Sequence, residues 1–149
     1  MRGFVYNASM ILKVKKLNPE AKLPSYAHAG DAGMDLYALE DTEVLPGQVV
    51  KVRSGLAMEI PDGFVGLCWT KSGLANNHKI KISSGVIDSG YRGEVLMGII
   101  NLGAEPYIFK KGEKVLQMLI QKVERPEIVE AENLSETSRG EGGFGSTGK

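Results

Sequence analysis

Five short segments carry residue types able to do chemistry. Gly85-Val86-Ile87-Asp88-Ser89-Gly90-Tyr91-Arg92-Gly93-Glu94 sets a carboxylate, Asp88, directly after an apolar pair. A carboxylate at the end of a buried strand, beside an apolar wall, suits a general base. A turn aspartate bonding its own backbone fits the same string. Thr70-Lys71-Ser72-Gly73-Leu74-Ala75 follows an apolar run of strand length. Lys71, Ser72 and the amide of Gly73 suit a phosphate at a helix start, and a plain serine N-cap fits as well. Ala29-Gly30-Asp31-Ala32-Gly33-Met34-Asp35-Leu36 sets Asp31 and Asp35 among glycines, a pattern that a solvated turn also explains. Gly112-Glu113-Lys114-Val115-Leu116-Gln117-Met118 puts a polar Gln117 between apolar neighbours, either for a site or turned to solvent by strand alternation. The fifth segment, 139–149, is rich in glycine and bears Arg139, Ser146 and Thr147. Its backbone N–H groups can close around an anion, helped by one cation and two hydroxyls.

Other strings mislead. Gly140-x-Gly142-x-x-Gly145 matches a dinucleotide fingerprint, and Gly143-x-x-x-x-Gly148-Lys149 matches most of a P-loop. Both motifs need a strand before and a helix after, and neither context is legible here. Cys68, between Leu67 and Trp69, has no visible activating neighbour and reads as an inert buried thiol. His28 and His78 are far apart and lack metal-ligand spacing. No Gly-x-Ser-x-Gly elbow is present, which argues against a serine hydrolase.

The elements that must position these segments are strands. Ile11–Lys15 alternates, and Val49–Arg53 is β-branched. Ala57–Ile60 stops at Pro61-Asp62-Gly63, and Phe64–Trp69 is a short apolar run. Lys79–Ile82 alternates cleanly; Val95–Leu102, Tyr107–Phe109 and Val115–Val123 complete the set. Strand-sized runs with a turn signal every 8–12 residues or so predict an all-β sandwich or barrel. One short helix is expected just after Ser72, and Ser89-Gly90 predicts a hairpin turn. From Glu124 the chain turns acidic and then glycine-rich, which predicts a mobile arm. We therefore expect an N-terminal extension over 1–10, a β domain over 11–124 and a C-terminal arm over 125–149.

Composition narrows the function classes. The chain has 149 residues, with 18 Lys+Arg against 18 Asp+Glu, and is 42% hydrophobic and 24% charged. That is enough to bury one core and excludes whole-chain disorder. The zero net charge disfavours a duplex nucleic-acid binder. The single cysteine makes no intrachain disulfide, and no apolar run is long enough to span a membrane as a helix. The first ten residues lack a basic region followed by a sustained apolar one, so a cytoplasmic location is expected.

Taken together, AGDAGMDLYA, TKSGLA, GVIDSGYRGEV, GEKVLQMLI and RGEGGFGSTG resemble, in order and spacing, the five motifs of the trimeric deoxyuridine triphosphatases. The resemblance runs from about Leu12 to the end. It implies a distorted jelly-roll-like subunit, a homotrimer with active sites between subunits, and hydrolysis of dUTP to dUMP and pyrophosphate with Mg²⁺. It further implies that Asp88 activates the attacking water, and that Tyr91 packs under the deoxyribose and excludes a 2′-hydroxyl. Backbone around Gly85, Val86 and Ile87, and near Leu96, would read uracil. Lys71, Ser72, Gly73 and Gln117 would meet the phosphates. Asp35 would orient waters on a Mg²⁺ held mainly by the substrate. The tail would close over the site, with Phe144 stacked on uracil and Arg139, Gly145, Ser146 and Thr147 on the outer phosphates. One departure stands out: Lys71 occupies a place where the family usually has arginine. Two rival readings are a dCTP deaminase of the same fold and a nucleotide-binding trimer without turnover. The Asp88 and Tyr91 pattern favours the diphosphatase over the deaminase, and the presence of Asp88, Tyr91, Gln117 and Arg139 together argues against lost turnover.

Overall fold

The computed structural model describes residues 10–143. Ten strands and one helix run in the order β1 (Lys13–Lys16), β2 (Met34–Tyr37), β3 (Thr42–Val44), β4 (Val49–Glu59), β5 (Phe64–Trp69), α1 (Ser72–His78), β6 (Ile80–Ile82), β7 (Val86–Ile87), β8 (Glu94–Asn101), β9 (Tyr107–Phe109) and β10 (Lys114–Lys122). They form two four-stranded antiparallel sheets, β1-β4-β8-β6 and β2-β10-β5-β7, and a ribbon of β3 and β9. One core is shared by all three. Val52, Leu56, Met97 and Ile99 come from the first sheet, Leu36, Leu116 and Met118 from the second, and Val44 and Phe109 from the ribbon. This is the all-β framework that the turn spacing predicts, with the short helix expected after Ser72 and the jelly-roll-like form that the resemblance implies.

Several boundaries differ for identifiable reasons. The runs Val49–Arg53 and Ala57–Ile60 belong to one long strand, β4, broken in register between Arg53 and Ala57. Gly55 sits there at φ +68°, and a Cβ on it would lie 2.9 Å from the Ala21 methyl. The Gly55 N–H donates to Glu94 Oε1 at 2.8 Å, and the same carboxylate pairs with Arg53. The gap in the apolar pattern is thus a bulge with its own partner. Lys79 does not open β6; it takes the left-handed conformation (φ 58°) after α1, and its N–H bonds Leu74 O. The helix begins at Ser72 with Lys71 at the N-cap position and no side-chain cap, so Ser72 is not the N-cap. Tyr91 N–H bonds Asp88 O at 3.1 Å, closing the turn expected at Ser89-Gly90. That turn makes no hairpin ladder: β7 pairs with β5, whereas β8 pairs with β4 and β6. It carries the chain from one sheet to the other.

Asn101, fully buried at the end of β8, ties the ribbon to the sheet. Its Nδ2 donates to Val44 O and Glu105 O at 2.9 and 2.8 Å, and its Oδ1 accepts from Gly103 N at 2.8 Å. Asn101→Ala removes the partner of all three groups. Chemical denaturation should show a loss of about 2–3 kcal/mol, the scale for stranding buried polar groups.

Candidate active site

The second sheet aligns three side chains in one row. On β10, Gln117 stands opposite Asp35 of β2 on one side and Trp69 of β5 on the other. Directly paired residues project from the same face. Gln117 therefore does not turn to free solvent; it is half-buried over Gly33. A Cβ at Gly33 would lie 2.8 Å from Gln117 Oε1, so a side chain there would push the Gln117 amide out of its place.

Asp35 is no solvated turn residue. It is 2% exposed and lies within β2. Lys71 Nζ donates to its Oδ1 at 2.5 Å, and Lys114 Nζ lies 2.7 Å from Oδ2. The second contact is an ion pair off hydrogen-bonding geometry, leaving Oδ2 buried without a hydrogen-bond partner. Burial pushes the Asp35 carboxyl up, but the Lys114 and Lys71 ammonium groups outweigh it and hold the group below the usual carboxylate range. Two clefts open here. One, of about 470 Å³, is lined by Asp31, Asp35, Trp69, Lys71 and Gln117. The other, of about 450 Å³, is lined by Lys71, Ser72, Gly73, Lys114 and Gln117. Asp35, Lys71, Ser72, Gly73 and Gln117 are thus brought together, with uncapped helix-start amides and two cations facing one region.

A third cleft, of about 450 Å³, collects Val86, Ile87, Asp88, Tyr91 and Leu96, with Ser84 and Gly98 on its wall. Gly85 joins it to β5, because Gly85 O accepts from Cys68 N at 2.7 Å. The apolar pair before Asp88 is not a buried strand: Val86 is 65% exposed and Ile87 half-buried, on the short edge strand β7. Asp88 is exposed. Among the described residues, the turn it begins is held by main chain and by Tyr91, Arg92 and Arg125, not by the Asp88 carboxylate. Tyr91 Oη donates to Glu94 O at 3.0 Å. Arg92 donates to Ser89 O at 2.7 Å. Arg125, at the root of the tail, donates to Ser89 Oγ at 3.2 Å and pairs with Asp62 at 2.9 Å. The carboxylate is left free on a turn fixed from two directions.

This third cleft shares no lining residue with the other two. Arg139 lines none of them; its Nε donates to Gly142 O at 2.7 Å in an exposed turn of the tail. Phe144, Gly145, Ser146 and Thr147 lie outside the described residues. Lys114 and Trp69 were not legible as site residues. Their signal is cross-strand register, which depends on pairing distant in sequence. Cys68 is buried, and burial pushes its thiol up to about 11, far from a nucleophilic thiolate at neutral pH.

Among the described residues, no group of three or more His, Cys, Asp or Glu side chains could by itself hold a metal. Asp35 fits Mg²⁺ in another way. Its buried carboxylate, ion-paired with Lys114 through Oδ2, makes no hydrogen bond there and keeps acceptor capacity for a water on an ion carried mainly by an anionic ligand.

A cationic, amide-lined cleft and an apolar cleft bearing a free carboxylate, on one antiparallel β framework, suit a small phosphorylated molecule with a planar apolar part. The dUTPase family model matches residues 19–148, and the chain belongs to the dUTPase family. The deoxyuridine 5'-triphosphate nucleotidohydrolase of Mycobacterium leprae is 48% identical over 148 residues, covering 94% of this chain and 96% of that protein. The enzyme of the same name from Thermobifida fusca is 42% identical over 140 residues, covering 92% and 78%. Among solved structures, a mutant dUTPase of Staphylococcus bacteriophage 80alpha with dUpNHpp superposes with TM-score 0.88 at 29% identity, covering 93% of this chain and 99% of that one. A mutant dUTPase of phage phi11, reported for its coordination of a structural Mg(II) ion, gives TM-score 0.78 at 26% identity, covering 83% and 98%.

Proposed function

We propose that this chain hydrolyses dUTP to dUMP and pyrophosphate, as a homotrimer whose active sites form between subunits. The observation that carries the reading is the separation of the two half-sites. A protomer holds the nucleoside-type cleft and the phosphate-type clefts apart, with no shared lining residue. A closed ring of copies can bring one protomer's Asp88 to a neighbour's Lys71 and Gln117. A cytoplasmic location belongs to the same proposal. Among the described residues, no helix is long and apolar enough to cross a membrane.

In this reading the nucleoside enters the cleft of Val86, Tyr91 and Leu96. Backbone groups of Gly85, Val86 and Ile87 read the uracil edge, and a narrow fit refuses a thymine methyl. Tyr91, held by its bond to Glu94 O, fills the space beside the deoxyribose. The Asp88 carboxylate takes a proton from a water as the water oxygen bonds to the α-phosphorus. The α–β bridging bond breaks, and its oxygen leaves with pyrophosphate. The Lys71 ammonium, Ser72 hydroxyl, Gly73 N–H and Gln117 amide hold the phosphates in line. Mg²⁺, when bound with the nucleotide, supplies charge neutralisation across the triphosphate. The 125–149 arm then closes with Arg139, Phe144, Gly145, Ser146 and Thr147, excluding bulk water.

Pyrophosphate release, compared for dUTP, UTP, dTTP and dCTP with and without Mg²⁺, tests the proposal. dUTP with Mg²⁺ should be preferred strongly. Comparable rates on all four would overturn the substrate assignment, and ammonia release from dCTP would point to a deaminase.

Lys71 offers one ammonium where a guanidinium could grip two oxygens. Lys71→Arg should therefore leave kcat/KM for dUTP at or above its starting value. A sharp fall in steady-state kinetics would mean that the lysine makes a contact peculiar to this protein.

A further inference from the structure

The phosphate-side clefts hold a charge arrangement that nucleotide binding has to rearrange. Asp35 lies between two ammonium groups from different elements, Lys71 before α1 and Lys114 on β10. The Asp35 side chain is 3% exposed, while those of Lys71 and Lys114 are 29% and 44% exposed. Lys71 lines both phosphate-side clefts, yet as found its ammonium is engaged by Asp35. A lysine that leaves Asp35 for a phosphate strands a buried carboxylate, and an unpaired buried charge is strongly unfavourable. The departure is tolerable only if a second cation stays behind.

Lys114 meets that need. It faces the oxygen that Lys71 does not touch, and it comes from the rigid strand that also carries Gln117. We propose that Lys114 is a positioning residue for the dUTP reaction. It keeps Asp35 neutralised and in place while Lys71 transfers from Asp35 to the triphosphate. The inference rests on reading these clefts as the phosphate side of the dUTP site. A lysine at position 71 suits such a hand-over, because a point charge on a flexible stem changes partners without giving up a fork of paired hydrogen bonds. Lys114 itself need not touch the nucleotide.

A double-mutant cycle tests this. The dissociation constant of dUpNHpp is measured calorimetrically, without added metal, on the full chain and on Lys114→Gln, Asp35→Asn and the double variant. The ligand-free melting temperature of each is recorded. Lys114→Gln should weaken binding about tenfold, within the usual range for directly coupled sites. Its melting temperature should stay close to that of the unsubstituted protein, because Lys71 still pairs with Asp35. In the Asp35→Asn background, where no buried charge needs a partner, the same substitution should change the constant by less than about twofold. Lys114→Arg should restore binding. An Asp35→Ala background is run in parallel, so that misfolding of one background leaves the cycle intact. Equal weakening in all backgrounds would overturn the proposal in favour of a direct phosphate contact. A lower melting temperature with unchanged binding would overturn it in favour of a structural role. Failure of the unsubstituted chain to bind dUpNHpp would instead refute the dUTP reading itself.

Discussion

Asp88→Asn is expected to bind dUpNHpp as tightly as the unsubstituted protein and to turn dUTP over at least about 10²-fold more slowly, the scale for loss of a general base. The substitution keeps the size of the side chain, removes its negative charge, and leaves a neutral amide that cannot take a proton from water. The structure favours a clean result. Among the described residues, the turn that begins at Asp88 is held by Tyr91, Arg92, Arg125 and main chain, so no structural bond is lost. Single-turnover kinetics with pyrophosphate detection measures the chemical step directly. Near-normal turnover would remove Asp88 from the mechanism. Mixing this variant with one lacking Gln117 adds a second reading. If sites form between subunits, randomly mixed trimers regain about a quarter of intact sites. Sites contained within single protomers would regain none.

Removing the chain from Arg139 onward should reduce kcat/KM on the order of 10²-fold, comparable to the loss when reacting groups are misplaced by about an ångström. The melting temperature and the oligomeric mass should not change. The contrast follows from burial: every residue from Glu124 to Glu141 is exposed, and the core contains nothing beyond β10. Deletion therefore takes a cation and a run of backbone N–H groups from the proposed closed site, and none of the core residues among the described ones. Steady-state kinetics and sedimentation on the shortened chain check both halves. A full-rate truncated enzyme would refute closure by the arm.

Most strands were legible because half-buried strands alternate and their turns carry proline and glycine, as at Pro61-Asp62-Gly63 before β5. The sequence of β4 reads as two pieces because the bulge at Gly55 mimics a loop, and its partner Glu94 lies far along the chain. Lys79 reads as strand because its alternation with Ile80 and Ile82 is genuine, while its left-handed backbone follows from ending α1. The candidate site was legible as five strings, since glycines beside Asp, Lys or Ser mark places where backbone approaches a ligand. Their grouping was not. That Asp35 stands opposite Gln117, and Lys114 against Asp35, follows from the register of β2 on β10, which no local pattern encodes. Nor does any string reveal that Asp88 faces a cleft separate from Lys71.

Trp69 closes the row that runs from Asp35 through Gln117, and it is the chain's one tryptophan. At 54% exposure its indole is neither sealed in the core nor freely solvated. Indole emission follows the polarity and quenching groups around the ring. The chain thus carries its single tryptophan on the wall of its phosphate-side cleft, where excitation selective for indole reads that site alone. Filling of that cleft, or a neighbouring chain coming to rest against it, is written into the intrinsic fluorescence of the unlabelled protein and is open to stopped-flow recording.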